Sequence, residues 1–413
     1  MKLMPVLIII LSFSILSCVV DFSENALLID TIMAGKETRY DAEVLWDREV
    51  FGSYYDLTYI TAGKYLYFPA NRIPGGGSSV VKIDIETGKV IWESDRIFPQ
   101  SSQNIREIQI VGEHIYLPVL GYIYILNESN GKLAATLLLG ENETEARRNN
   151  ASPESYTVVS DYLFWGNTQY VSAAFRGVRR LDTSMIDFLK NPYEVQKIAP
   201  DLVWTDNITT VTSNIISENG VIYFITWSGI LIAMDAETCD IIWEEDTRQV
   251  LNNRTFALVL YNDNILIAAT GLSSYNKNTG DLIYENFEAD KRFASRITLH
   301  DNILYCIRNS NRSVIAINAD TGETVWNYDL DEDNYYYRTR PYIYEEKLYV
   351  MSDSGLRVHN AANGDFTGVN KRTIEINMTH AEYKGIIYND TLVIFYSGLY
   401  TNQTVFFKAI RCK

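Results

Sequence analysis

The sequence predicts an all-β protein, an eight-bladed β-propeller built from four-stranded antiparallel blades. Three observations carry this prediction: a short phrase recurs along the chain, a Tyr-rich strand precedes each copy, and most neighbouring copies lie about 42 residues apart. A repeat of about 40–45 residues that holds four short strands is typical of a propeller blade. Because the copy around Asp182 is degenerate, seven blades is the alternative that the sequence leaves open.

The recurring phrase consists of an apolar strand, an Asp or Asn, a Thr-Gly three and four residues later, and a Trp that ends the next apolar run. Its clearest copies occupy residues 81–92, 232–243 and 315–326. The residues that define them are Asp84, Gly88, Trp92, Asp235, Trp243, Asn318, Gly322 and Trp326. Weaker copies centre on Asn127, Asp182, Asn276 and Asn360.

Each position of the phrase predicts a structural role. The Asp or Asn side chain can accept backbone N–H groups just ahead of it and start a tight turn. Gly tolerates the positive φ that closes a hairpin, and Trp has the area to fill the gap to the next sheet. Cys239 replaces the Gly in one copy, and Ile186 stands there in the copy that begins at Asp182, so we expect both turns to be distorted.

The two ends of the propeller, predicted to span residues 42–413, suggest how the ring closes. The last repeat contains three predicted strands before the chain ends, and residues 42–47 near the N-terminus resemble the missing fourth strand. Pairing of this N-terminal strand with the last blade would remove a free sheet edge. Residues 187–200 do not fit the repeat and are predicted to be an insertion.

The N-terminus predicts export. Residues 1–17 have a positive start and an apolar core that is too short to span a membrane, which is typical of a signal peptide. Their end, Leu-Ser followed by Cys18, resembles the bacterial lipobox, in which the cysteine is lipidated. Residues 18–41 would then be a tether, and the protein would be anchored by lipid in the bacterial cell envelope. An ordinary signal peptide with an incidental Cys18 is the alternative.

The amino-acid composition restricts the classes of function that this protein can have. The chain has 413 residues, of which 47% are hydrophobic, so a sizeable core is expected. Its 52 acidic and 36 basic residues give a net charge of −16, which argues against nucleic acid as a partner. The remaining cysteines, Cys239, Cys306 and Cys412, are far apart and are predicted to be small buried hydrophobes. The histidines His114, His300, His359 and His380 are scattered and are predicted to be turn or surface residues.

The phrase resembles the repeat of the pyrroloquinoline-quinone-like, or quinoprotein-type, β-propellers. That family includes quinoprotein alcohol dehydrogenases and the non-catalytic lipoprotein propeller of the outer-membrane β-barrel assembly machinery. The dehydrogenases carry an adjacent cysteine pair and calcium-binding carboxylates beside the cofactor, but this sequence has no adjacent cysteines, no matching carboxylates and no C-x-x-C-H sequence. We therefore predict no catalytic residues, no cofactor and no bound metal.

The resulting functional prediction is a non-catalytic cell-envelope lipoprotein that acts as a protein-binding scaffold, with loops at one face engaging the partner. A role in outer-membrane protein assembly follows from the resemblance alone. A propeller that binds a glycan or a small ligand is the first alternative, and a degenerate quinoprotein dehydrogenase is the second.

Overall fold

A computed structural model of the chain describes most of the region predicted to form the propeller. The described residues are 43–51, 59–71, 78–97, 108–119, 121–149, 153–167, 177–205, 211, 213–247, 257–269, 271–286, 297–308, 313–329, 340–352, 355–370, 383–397 and 404–412. Cys18 and the predicted signal peptide and tether lie outside these residues, so their roles stay predictions.

The strands form eight sheets that follow one another along the chain, which confirms the eight-bladed propeller. The first strand, β1 (Val44–Phe51), belongs to the last blade. Blades 1 and 2 comprise β2 (Ile60–Ala62), β3 (Tyr65–Asn71), β4 (Ser78–Asp84) and β5 (Val90–Glu93), then β6 (Gln109–Val111), β7 (His114–Val119), β8 (Tyr122–Asn127) and β9 (Leu133–Leu138). A short helix, α1 (Glu143–Asn149), follows.

Blade 3 comprises β10 (Pro153–Val159), β11 (Tyr162–Asn167), β12 (Val178–Asp182) and β14 (Asp201–Trp204), and the segment before β14 contains a 3₁₀ turn (Thr183–Met185) and β13 (Val195–Lys197). Blade 4 comprises β15 (Ile216–Glu218), β16 (Val221–Ile225), β17 (Ile230–Asp235) and β18 (Ile241–Asp246). Blade 5 comprises β19 (Ala257–Tyr261), β20 (Asn264–Ala268), β21 (Leu272–Asn276) and β22 (Leu282–Asn286).

Blade 6 comprises β23 (Thr298–His300), β24 (Ile303–Ile307), β25 (Ser313–Asn318) and β26 (Thr324–Asp329). Blade 7 comprises β27 (Tyr342–Tyr344), β28 (Lys347–Ser352), β29 (Gly355–Asn360) and β30 (Phe366–Asn370). Blade 8 comprises β31 (Tyr383–Tyr388), β32 (Thr391–Ser397), β33 (Thr404–Arg411) and the N-terminal β1.

The N-terminal strand closes the ring. β1 pairs antiparallel with β33, with Val44 opposite Ile410 and Phe51 opposite Thr404. The predicted closure is therefore confirmed, and the strand runs four residues beyond the predicted segment. Because the first and last parts of the propeller share one sheet, all eight blades belong to one compact unit, residues 40–413.

Blade 2 departs from the four-stranded pattern. The predicted insertion supplies β13, which pairs in parallel with β9 and places Val195 opposite Thr136. Blade 2 is therefore a five-stranded sheet with β13 at its outer edge. The insertion leaves blade 3 after β12, reaches back to blade 2, and returns to complete blade 3 through β14.

The order of strands defines two faces of the ring. The turns after the first and third strands of each blade lie at one face, which we call the turn face. The connections after the second and fourth strands join strand ends at the opposite face, which we call the loop face. In blade 1 a backbone bond from the Ile85 N–H to the Lys64 carbonyl (2.9 Å) joins its two turns, and bonds in the same position recur in the other blades.

The core lies between the blades, because each sheet is apolar on both faces. Between blades 4 and 5, for example, Tyr223 and Ile225 of one sheet pack with Ile265, Ile267 and Tyr275 of the next. Seven further clusters of this kind join other parts of the described structure. Burying such side chains is worth about 1.5–3 kcal/mol each, so packing between blades dominates the stability of the ring.

Candidate functional site

The predicted repeat residues form turns and contacts between blades around the ring, and they do not converge on one site. The Asp84 carboxylate accepts the Thr87 N–H (3.0 Å), and the Gly88 N–H closes the turn on the Asp84 carbonyl (2.8 Å). Asp235 and Asn318 accept N–H groups in the same way. Partial burial alone would raise the pKa of Asp84, but bonds from Lys64 and Thr87 outweigh it and hold that pKa below its usual range.

The tryptophan of each clear repeat contacts the next blade. Trp92, Trp243 and Trp326 donate from Nε1 to the carbonyl oxygens of Glu128, Lys277 and Ala361 at 3.0, 3.1 and 2.9 Å. Trp46 of the N-terminal strand bonds the Ile85 carbonyl of blade 1 (2.9 Å), and Tyr284 replaces Trp in blade 5 and bonds the Ala319 carbonyl (2.8 Å). Each of these aromatic side chains therefore bonds the backbone of the next blade.

The glycine of the phrase has a second task that the sequence interpretation missed. Gly280 has φ +80°, as a tight turn requires, and a Cβ built on it would lie 2.8 Å from Cε3 of Trp243 in the preceding blade. The same close approach pairs Gly131 with Trp92, and Gly364 with Trp326. The sequence held a pattern that could have predicted this contact: each repeat with this Gly follows a repeat with an aromatic residue at the Trp position.

Of the two turns predicted to be distorted, one is regular. Cys239 adopts φ +64° and donates its N–H to the Asp235 carbonyl (2.9 Å), which are the turn features of the glycine copies. The prediction for Cys239 was wrong. In blade 3 the strand position that Trp occupies in the clear repeats is Asp201, opposite Arg180, and the Arg180 guanidinium donates to the Glu237 carbonyl of the Cys239 turn (2.6 Å). The turn after Asp182 does differ, since it forms the 3₁₀ turn capped by that carboxylate.

The predicted surface position of His359 was also wrong. Its side chain is fully buried on β29, on the face toward blade 6, where the corresponding residues of other blades are apolar. Its ring packs edge-on against Tyr328 (4.7 Å between centroids), and its Nδ1 lies 3.2 Å from the Gly364 carbonyl. Burial lowers the pKa of His359 to about 4, and the nearby Arg357 acts in the same direction.

The remaining predicted residues are accounted for as follows. Cys306 and Cys412 are buried and Cys239 is half-buried, and all three are free thiols. His300 is exposed, His114 is half-buried at the turn face, and His380 lies outside the described residues. Within the described residues, no group of three or more His, Cys, Asp or Glu side chains is arranged to hold a metal ion.

The feature that breaks the repeat is the segment between β12 and β14, residues 183–200, which we call the ridge. In the six other blades whose last two strands are joined by a turn, that turn is five residues long and mostly polar. Ile186 and Ile198 anchor the two ends of the ridge, since both are buried in the cluster between blades 2 and 3. The ridge is therefore an ordered addition to the turn face.

Hydrogen bonds fix the course of the ridge. Asp187 and Asn191 each start a small turn, accepting the N–H groups of Leu189 (3.0 Å) and Tyr193 (3.1 Å) on their side-chain oxygens. Inside the ridge, the Gln196 side-chain amide accepts the Asp187 N–H (3.0 Å) and donates to the Asp187 carbonyl (2.9 Å).

Two side-chain contacts with blade 2 hold the ridge in addition to the pairing of β13 with β9. The Thr136 hydroxyl donates to the Pro192 carbonyl (2.9 Å), and the Phe188 ring stacks on His114 at 4.2 Å between centroids. Burial lowers the pKa of His114, although the nearby Glu113 opposes that shift.

The ridge presents large apolar side chains to solvent. Leu189 is 99% exposed, Tyr193 72% and Met185 62%, and Phe188 and Val195 are exposed beside them. Exposed aromatic and Met side chains on an ordered segment are typical of a protein–protein contact. The sequence interpretation recognised an insertion but assigned it no site, although these five apolar residues outside the repeat were a usable signal.

The sequence matches a known family model, and the fold resembles solved structures. A family model described as "Outer membrane protein assembly factor BamB" matches residues 38–245 and 268–372, which is most of the chain. No curated protein matches the sequence.

Solved structures that resemble the chain include the computationally designed Ika8 protein, at 10% identity and TM-score 0.57, covering 87% of this chain and 97% of that one. Quinohemoprotein alcohol dehydrogenase ADHIIG from Pseudomonas putida HK5 has 10% identity and TM-score 0.57, covering 90% and 76%. The C-terminal WD40 domain of Sif2 has 11% identity and TM-score 0.56, covering 90% and 99%. At these identities the likeness shows the fold alone.

Proposed function

This chain belongs to the family of the outer membrane protein assembly factor BamB, and on that premise we propose that it is a non-catalytic scaffold of the bacterial cell envelope that binds a protein partner through the ridge. Family membership supports protein–protein interaction in general. The ridge is the observation that carries the proposal for this chain, because it exposes apolar side chains on an ordered segment at one face.

The placement of the ridge suits a docking role. Its anchors and hydrogen bonds keep Leu189 and Tyr193 in solvent although apolar side chains gain by leaving water. A partner that covers Leu189, Tyr193 and Met185 would remove that apolar surface from water. A few buried anchor residues, among which Tyr is enriched, supply most of the free energy in protein interfaces.

We also propose that the chain is exported and held at the membrane by lipid on Cys18. The support is the lipobox-like end of the predicted signal peptide and the family model, whose description names an outer membrane protein assembly factor. Among the described residues, no helix is long and apolar enough to cross a membrane. A contribution to outer-membrane protein assembly is the finer form of the proposal.

Site-specific photocrosslinking in the native host tests the scaffold. A photoreactive phenylalanine analogue replaces Leu189 on the ridge or, as a control, Trp227, an exposed residue at the loop face. We expect a discrete protein adduct from position 189 and a much weaker one from position 227. An absence of protein adducts from both positions, together with no protein that copurifies after mild solubilisation, would contradict the scaffold function.

Labelling with a lipid precursor tests the anchor. We expect the full chain to incorporate radiolabelled palmitate and the Cys18→Ser variant to incorporate none. Equal incorporation by both would refute lipidation at Cys18.

A further inference from the structure

We infer that Gln196 is the positioning residue of the docking site: its side-chain amide holds the ridge in the conformation that the partner recognises. The inference rests on the proposed docking function of the ridge. Gln196 itself is buried, with 8% of its surface exposed, whereas the neighbouring Val195 and Lys197 are exposed.

The geometry around Gln196 is that of a β-bridge in which a side chain replaces one backbone. The amide oxygen accepts the Asp187 N–H (3.0 Å) and the amide nitrogen donates to the Asp187 carbonyl (2.9 Å), so one residue satisfies both backbone groups of the other. Gln196 lies in β13, which is bonded to blade 2 through β9. The bridge therefore ties the outgoing half of the ridge to a strand of the propeller.

The bridge controls where the exposed side chains point. Asp187 is also the residue whose carboxylate accepts the Leu189 N–H (3.0 Å), so the turn that presents Leu189 begins at the residue that Gln196 holds. Without the bridge, the segment between Ile186 and the Asn191 turn would still have the Phe188–His114 stack with blade 2 but no hydrogen bonds from Gln196. The partner would then have to order Leu189 on binding, which lowers affinity.

Removing a two-bond bridge destabilises any protein to some degree, so a matched control is needed. Asn214 supplies it, because its side chain makes the same pair of bonds to the Leu258 backbone, accepting at 3.0 Å and donating at 3.1 Å, between blades 4 and 5. The variants to compare are Gln196→Met, which keeps the side-chain length without hydrogen bonds, and Asn214→Leu. A third variant, Gln196→Glu, keeps the acceptor for the Asp187 N–H and loses the donor.

Hydrogen exchange of the full chain and photocrosslinking from position 189 are measured on each variant. For Gln196→Met we expect faster exchange in residues 183–200 alone and a crosslinking yield about tenfold lower, with Gln196→Glu between it and the parent. For Asn214→Leu we expect faster exchange near residues 213–216 and 257–261 and an unchanged yield.

The outcomes separate this inference from the proposed function. Unchanged exchange in residues 183–200 of Gln196→Met would overturn the positioning role, and so would faster exchange with an unchanged crosslinking yield. An equal fall in yield for Asn214→Leu would assign the effect to general destabilisation and also overturn it. If the parent chain gives no adduct from position 189, the docking role of the ridge itself fails.

Discussion

A matched pair of glycines in neighbouring blades tests whether the contact between glycine and tryptophan joins the blades. Gly280 and Gly220 have nearly the same φ, +80° and +81°. A Cβ on Gly280 would lie 2.8 Å from Cε3 of Trp243, whereas a Cβ on Gly220 would have no atom within 4 Å other than those of its chain neighbours. The substitutions Gly280→Ala and Gly220→Ala therefore impose the same backbone cost and differ in the contact with Trp243.

The structure sets the expected magnitudes. Holding Ala in the left-handed region costs about 1–2 kcal/mol in either variant. In Gly280→Ala the indole must also move away, since ordinary carbon contacts are about 3.5–4.0 Å. Overpacking of this kind costs about 1–3 kcal/mol, and loss of the bond from Trp243 Nε1 to the Lys277 carbonyl adds about 1 kcal/mol. Gly280→Ala should therefore lose about 2–4 kcal/mol more than Gly220→Ala.

Urea unfolding followed by tryptophan fluorescence measures the difference. We expect Gly220→Ala to unfold at a slightly lower urea concentration than the parent, and Gly280→Ala at a clearly lower one. A Trp243→Ala change made in both backgrounds should remove most of the difference between them, because the steric partner is then gone. Equal losses in the two glycine variants would refute the contact as a source of stability.

Three further predictions concern residues that lie where neighbouring blades meet. Because the folded pKa of His359, about 4, lies below the usual 6.5, the neutral ring stabilises the fold fully above pH 6.5 and that contribution is lost as pH falls toward 4. This contribution of His359 amounts to about 3 kcal/mol. The free energy of unfolding should therefore fall less on acidification in His359→Leu than in the parent, and an equal pH dependence in the two proteins would contradict this. Tyr284→Phe should lose about 1 kcal/mol in urea unfolding through the bond to the Ala319 carbonyl; no loss would show that the bond adds nothing. Cys239→Gly should gain about 1 kcal/mol by relieving its left-handed φ, whereas a lower melting temperature would mean that packing of the thiol outweighs the strain.

The fold was predictable from the sequence because turn chemistry is local. Asp84 bonds the backbone of Thr87 three residues ahead, and Asn318 does the same with Thr321, so a phrase of nine residues was enough to locate each hairpin. The count of repeats and the strand-like segment before Asp47 then predicted eight blades and their closure. Both came from spacing along the chain.

The candidate site and the environment of single residues were decided by tertiary structure. Gln196 is buried and Leu189 is almost fully exposed. This difference depends on how residues 183–200 fold back on blade 2, which the sequence does not show. His359 is buried against Tyr328 of the preceding blade, and the turn at Cys239 is bonded by Arg180 of the preceding blade. Repeats determine the turns within a blade, where partners are a few residues apart. Contacts between blades join residues about 30 or more positions apart, and only the assembled ring brings them together.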